Sequence, residues 1–261
     1  MKKAVFFDVD GTLIDAGAGM PRMSDPTKQA IRRLQAAGHY TFIASGRPYA
    51  FLDKELLEFG FDGYVLMNGA AVILDDVIAY KKPLDKGMVA AICQSCEARQ
   101  VEYILQGTKH VYLRPEFKQL DAYYASFSIA KNRFVYEFTA AALDVYKMEF
   151  IAKDEAGKAL CRSLAPAWEF LQDPRHNMKF ELYARTETKA SGIQHALEAL
   201  AIPKERSYAF GDGENDREML QSVGCSFAMD NAKPVIKALA DYTVASVHQD
   251  GVAQGILEYI L

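Results

Sequence analysis

The sequence offers no apolar run long enough to span a bilayer, no basic stripe along any helix-like segment and no histidine pair at metal-binding spacing. The first absence excludes a transmembrane helix. The second, with a formal net charge of only −4 over 261 residues, removes the electrostatic footprint of a nucleic-acid binder. The third leaves the five scattered histidines without a zinc-like arrangement. Cysteine is also scarce, at four residues, and the one C-x-x-C, Cys93 to Cys96, has no second half. Its setting, AAICQSCEAR, has helical periodicity, so the pair reads as two residues on one helix face. MKKAVFF opens with two lysines, but Asp8 and Asp10 cut its apolar stretch too short for a secretory signal. A cytoplasmic protein is expected. No membrane or nucleic-acid partner is expected, and the chain is expected to be a monomer or small homo-oligomer.

What is present is regular. Residues 4–8 form an unbroken apolar run, as in a strand covered on both faces. SDPTKQAIRRLQAAGH follows with a cap at Ser24 or Asp25, Pro26 in the first turn, an apolar face and a stop at Gly38. YTFIAS is a second buried strand, a helix is predicted over 49–59, and GYVLM is a third strand. This alternation is that of a doubly wound parallel sheet. Between about 83 and 184 the rhythm changes to a helix near 86–98, strands near 101–106, 109–113 and 145–152, a helix at 154–164, and strands near 167–171 and 178–184. After 185 the first rhythm returns, with a helix at 188–200, a strand at 207–212, a helix in NDREMLQSVG and short strands in CSFAM and YTVAS. The expected architecture is therefore an α/β core of residues 1–82 and 185–261, Rossmann-like, interrupted by an α+β domain of residues 83–184. The inserted part is rich in aromatics, among them Tyr103, Tyr112, Tyr123, Tyr124 and Phe127. Such rings could stack on a substrate, but by default they form that domain's core.

In open parallel sheets, ligands sit at the carboxyl ends of the strands. The polar residues there are Asp8 and Asp10 after the first strand, Ser45-Gly46-Arg47 after the second and Asp212-Gly213 after the strand at 207–211. Carboxylates gathered on one edge repel unless a cation joins them, and oxygen-only donors favour Mg²⁺ over zinc or copper. Mg²⁺ with a hydroxyl and glycine amides points to phosphoryl chemistry. Plainer readings exist for single residues. Ser45 could cap a helix, Lys189 could decorate a first turn, and ENDREM could be a solvated helix start.

DVDGTL (8–13), ASGR (44–47), Lys189 and GDGENDREML (211–220) together resemble, in order, the four motifs of the haloacid dehalogenase superfamily of phosphohydrolases. The large insertion, with MNGA (67–70), FAMDNA (227–232) and QDGVA (249–253), resembles its Cof-type branch, in which an α/β cap closes over the substrate. The resemblance implies that Asp8 is the nucleophile and forms an aspartyl-phosphate, and that Asp10 is the acid and then the base. It implies Mg²⁺ on the side chains of Asp8 and Asp212 and the carbonyl of Asp10, with Asp216 supporting a metal-bound water. Ser45, the amides of Val9 and Gly46, Lys189 and Asn215 would hold the phosphoryl oxygens. The expected activity is hydrolysis of a small phosphorylated metabolite, such as a sugar phosphate. A phosphomannomutase-like phosphotransferase, or a non-catalytic sensor of a phosphorylated ligand, are the alternatives.

Overall fold

The computed structural model describes residues 1–126, 129–164, 169–173 and 176–261. The chain divides into two compact units, one of Met1–Gly46, Lys54–Lys81 and Thr188–Leu261, the other of Arg47–Asp53 and Lys82–Glu187.

The first unit begins with β1 (Ala4–Phe7), α1 (Asp25–Ala36), β2 (Tyr40–Ala44), α2 (Lys54–Glu58), β3 (Gly63–Leu66), β4 (Ala71–Leu74) and β5 (Val77–Lys81). Ser24 caps α1, its hydroxyl accepting from Thr27 N at 3.2 Å. The helix predicted over 49–59 is instead a short turn at Tyr49–Phe51, an extended Leu52 and then α2. The cause is tertiary. Phe51 packs in the second unit, with ring centroids 4.7 Å from Tyr124 and 6.0 Å from Phe134.

The second unit contains α3 (Lys86–Ala98), β6 (Glu102–Gln106), β7 (Val111–Leu113), α4 (Lys118–Ser126), β8 (Phe134–Val135), β9 (Lys147–Ile151), α5 (Glu155–Ser163), β10 (Glu169–Gln172) and β11 (Lys179–Tyr183). Its sheet runs β10-β11-β9-β6-β7-β8, antiparallel except for β7 with β8. One sheet face carries Tyr103, Leu105, Met148, Phe150, Phe180 and Leu182, all buried in one apolar cluster with Cys93, Cys96 and Cys161. Burial pushes the Cys93 thiol up to about 11 and that of Cys161 to about 12, which leaves them unreactive. Tyr103 and Tyr124 are buried in the same cluster, and Tyr112 and Tyr123 pack against it. These rings are core. Phe127, and residues 167 and 168 of the strand expected near 167–171, lie outside the described residues. Helix α4 was not legible in the sequence. Its first-turn amides at Gln119 and Leu120 donate to Glu102 Oε2 at 2.8 and 2.9 Å, so its cap comes from a distant strand.

The first unit then resumes with α6 (Lys189–Leu200), β12 (Ser207–Gly211), α7 (Arg217–Ser222), β13 (Cys225–Met229), α8 (Pro234–Lys237), β14 (Tyr242–Val244) and α9 (Gly251–Gly255). Its eight-stranded sheet has the order β14-β13-β12-β1-β2-β3-β4-β5. The strands from β14 to β3 are parallel, and β4 and β5 add an antiparallel hairpin. That hairpin was not anticipated. Its signal is the Asp75-Asp76 turn, both residues at positive φ (46° and 64°), between two apolar runs. Strand residues alternate between two helix layers. Ala4 and Phe6 share an apolar cluster with Ile193 and Ala196 of α6 and Met219 of α7. Phe7 stacks on Phe210, and Phe210 on Phe227, at 5.4 and 4.5 Å. Because β1 lies between β12 and β2, its carboxyl end brings residues 8–12 beside those that follow β12 and β2. Among the described residues, no helix is long and apolar enough to cross a membrane.

Candidate active site

The site is built on the end of β1. Asp8 is buried, and its amide donates to Phe210 O of β12 at 3.0 Å, so the backbone ladder itself fixes the carboxylate. Val9 is wholly buried, and its carbonyl accepts from the amides of Leu13 and Ile14, each at 3.0 Å. That tight turn needs Gly11 at φ +84°, and a side chain there would overlap the Asp212 carboxylate. Asp10, by contrast, is exposed. It stands past the end of the strand, so the two-residue alternation that puts i and i+2 on one face no longer applies.

Asp212 follows β12, and Asp216 closes the turn Glu214–Asp216 that leads into α7. Asp216 Oδ2 accepts from the amides of Asp212 (2.9 Å) and Gly213 (2.8 Å). Its Oδ1 accepts from Lys189 Nζ at 2.6 Å, and the same ammonium donates to Asp8 Oδ1 at 2.5 Å. Lys189 is the first residue of α6, capped by Thr188, and is completely buried. A cation is disfavoured at a helix N-terminus. Two carboxylates offset that cost here.

One carboxylate oxygen from each of Asp8, Asp212 and Asp216 lies within 4.8 Å of the others. Among the described residues, three carboxylates thus face one ammonium. Burial, followed by repulsion from Asp216, pushes Asp8 well above its usual range despite Lys189. The same two causes push Asp212 up to about 6. Burial alone would lower the Lys189 pKa, but Asp216 and Asp8 outweigh it and keep the ammonium charged. Excess negative charge and oxygen-only donors fit a hard divalent cation. Asp216 already gives one oxygen to Lys189 and the other to two amides, which makes it a brace for Lys189 and the 211–213 loop.

Ser45 and Gly46 follow β2, with Ser45 buried and its amide donating to Val65 O at 2.8 Å. Asn215 is exposed, and its Nδ2 lies 3.6 Å from where a side chain on Gly46 would begin. Asp8, Asp212, Asp216 and Lys189 are therefore joined directly, and Gly46 and Asn215 are neighbours.

Three residues were not anticipated by role. Thr12 Oγ1 donates to Asp212 Oδ1 at 3.1 Å. Asn231 Nδ2 donates to Asp212 Oδ2 at 3.2 Å and to Gly11 O at 2.8 Å, while its own Oδ1 accepts from Val247 N at 3.0 Å. The third is Asn68, beside Gly46. Their signals were the DGT, FAMDNA and MNGA strings, which pattern alone could not convert into contacts.

Residues 5–256 match the family model described as haloacid dehalogenase-like hydrolase. A putative phosphatase of Bacillus subtilis, YkrA, is 29% identical over 98% of this chain and 97% of its own. The 5-amino-6-(5-phospho-D-ribitylamino)uracil phosphatase YitU of the same organism is also 29% identical, over 98% of this chain and 96% of its own. Among solved structures, the subclass IIB sugar phosphatase BT4131 aligns with a TM-score of 0.78 at 29% identity, covering 98% of both chains.

Proposed function

Since the chain belongs to the haloacid dehalogenase-like hydrolases and is a phosphoric monoester hydrolase, we propose that it is a Mg²⁺-dependent phosphatase of a small phosphorylated metabolite, acting in the cytoplasm through a phosphoryl group carried on Asp8. The observation that supports this most is the meeting of Asp8, Asp212 and Asp216 with the buried Lys189 at the ends of β1 and β12. Mg²⁺ held by Asp8, Asp212 and the Asp10 carbonyl would offset the charge of the carboxylates and the phosphoryl oxygens.

The steps are assigned to the chain's own residues. An Asp8 oxygen attacks phosphorus, the bond to the leaving oxygen breaks, and Asp10 gives that oxygen a proton. Asp10 then takes a proton from water as the water attacks phosphorus. The bond between phosphorus and Asp8 breaks, releasing inorganic phosphate. Lys189, Ser45, Asn215 and the amides of Val9 and Gly46 hold the phosphoryl oxygens throughout. In this reading residues 83–184 are a cap that selects the substrate. The names of YitU and BT4131 support a sugar phosphate or similar compound.

The test is hydrolysis of p-nitrophenyl phosphate by the purified chain with Mg²⁺. EDTA is expected to stop it. Full turnover by Asp8→Asn would overturn the nucleophile assignment. Phosphate reappearing on a second hydroxyl, and not free in solution, would replace the hydrolase by a phosphotransferase.

A further inference from the structure

Resting on the phosphatase reading, we propose that Asn68 contacts the substrate, its side-chain carbonyl accepting a hydrogen bond from a hydroxyl on the alcohol portion of the phosphorylated compound. Met67, Asn68 and Gly69 have φ of 51°, 54° and 96°, three successive residues in the left-handed region. For methionine and asparagine this costs on the order of 1 kcal/mol each. The arrangement is enforced from both sides. Asn68 N donates to Ser45 O at 3.2 Å, and a side chain at Gly69 would overlap the Thr188 carbonyl at the start of α6.

The result of that distortion is an asparagine only 8% exposed whose Oδ1 has no hydrogen-bond partner among the described residues. Leaving a buried acceptor unmet costs about 1–3 kcal/mol. Oδ1 lies 2.8 Å from where a side chain on Gly46 would begin, the same point that Asn215 Nδ2 approaches at 3.6 Å. The unmet acceptor therefore sits among residues assigned to the phosphoryl group. A phosphoryl dianion presents only acceptors, so it cannot satisfy Oδ1. We assign the donor to the rest of the ligand, and on an alcohol-derived phosphate a hydroxyl supplies it.

If Asn68 served only the backbone, glycine would serve as well, because glycine adopts positive φ without steric cost. The experiment compares the wild-type chain with Asn68→Gly and Asn68→Asp, in Mg²⁺, by calorimetric titration with 3,4-dihydroxybutylphosphonate and butylphosphonate. Wild type is expected to prefer the dihydroxy compound by about tenfold, the value of one hydrogen bond to a buried acceptor. Asn68→Gly should keep or raise the melting temperature and lose the preference. Asn68→Asp retains an acceptor and should retain it. The proposal is overturned if Asn68→Gly keeps the preference, if it weakens both phosphonates equally, or if wild type binds neither. Turnover of p-nitrophenyl phosphate by wild type reports separately on the phosphatase reading, because the phosphonates are read by binding alone.

Discussion

Each unit buries lysines among carboxylates, and the two clusters differ in their charge balance. In the first unit Asp8, Asp212 and Asp216 gather around a single lysine among the described residues, Lys189. In the second, Lys147 and Lys179 face Glu149 and Glu181, two charges against two among the described residues, at 2.6–3.4 Å. Glu149 also accepts from Tyr124 Oη at 2.5 Å and Gln106 Nε2 at 2.7 Å. Burial would raise the Glu149 pKa, but Lys147 and Lys179 outweigh it and hold it down at about 2. Burial and Asp216 instead drive Asp212 up to about 6. A balanced cluster is complete in itself. An acidic excess is offset by a bound cation in the function proposed above, and that distinction separates the proposed site from a cluster that serves the fold.

The sharpest way to test the contrast is to neutralise one acid in each cluster. Asp8→Asn should cut turnover of p-nitrophenyl phosphate by at least about 10³-fold, while melting of the metal-free protein stays level or rises, because one repelling charge has gone. Glu149→Ala should do the reverse to stability. It strands two buried ammonium groups with one carboxylate, at a cost of about 3–5 kcal/mol in denaturant titration. A stable Glu149→Ala would break the comparison.

Next in size is pH. The folded pKa of Glu149 lies below its unfolded value of 4.5, so its contribution is present above 4.5 and lost as pH falls towards 2. For Asp212 the folded value of about 6 lies above 3.8, so the metal-free first unit should lose stability as pH rises from about 4 through 6. Amide exchange resolved by unit should therefore show opposite slopes on either side of pH 4.

Smaller still is the effect of metal on melting. Mg²⁺ at a hundred times its Kd should stabilise wild type by about 2.7 kcal/mol. Asp212→Asn should lose most of that gain and Glu149→Gln none of it. Thr12→Val comes last. Removing its hydrogen bond to Asp212 should reduce turnover only several-fold, with an energetic cost of about 1 kcal/mol.

The core strands were legible because an unbroken apolar run such as AVFF or YAFG has few other ways to be buried. The residues at their ends were legible because topology gathers strand ends at one edge. Helix α4 was not, because Glu102 supplies its cap from 17 residues away. Nor was the break at Leu52, which follows from where Phe51 packs. Asn68 stands in the MNGA string, yet its left-handed backbone is held by contacts that local pattern does not carry, its own amide on Ser45 O and the close approach of Gly69 to Thr188.

The sequence by itself determined the alternating α/β grammar, the acidic ends of β1 and β12 and the lysine that opens α6, since each depends on local pattern and on side-chain chemistry. Only the tertiary structure decided that Lys189 bridges Asp8 and Asp216, that Asp10 stays exposed while Asp8 is buried, and which buried charges are balanced. Those outcomes depend on distances between residues far apart in sequence, 181 positions for Asp8 and Lys189, and burial multiplies the energy of every such distance.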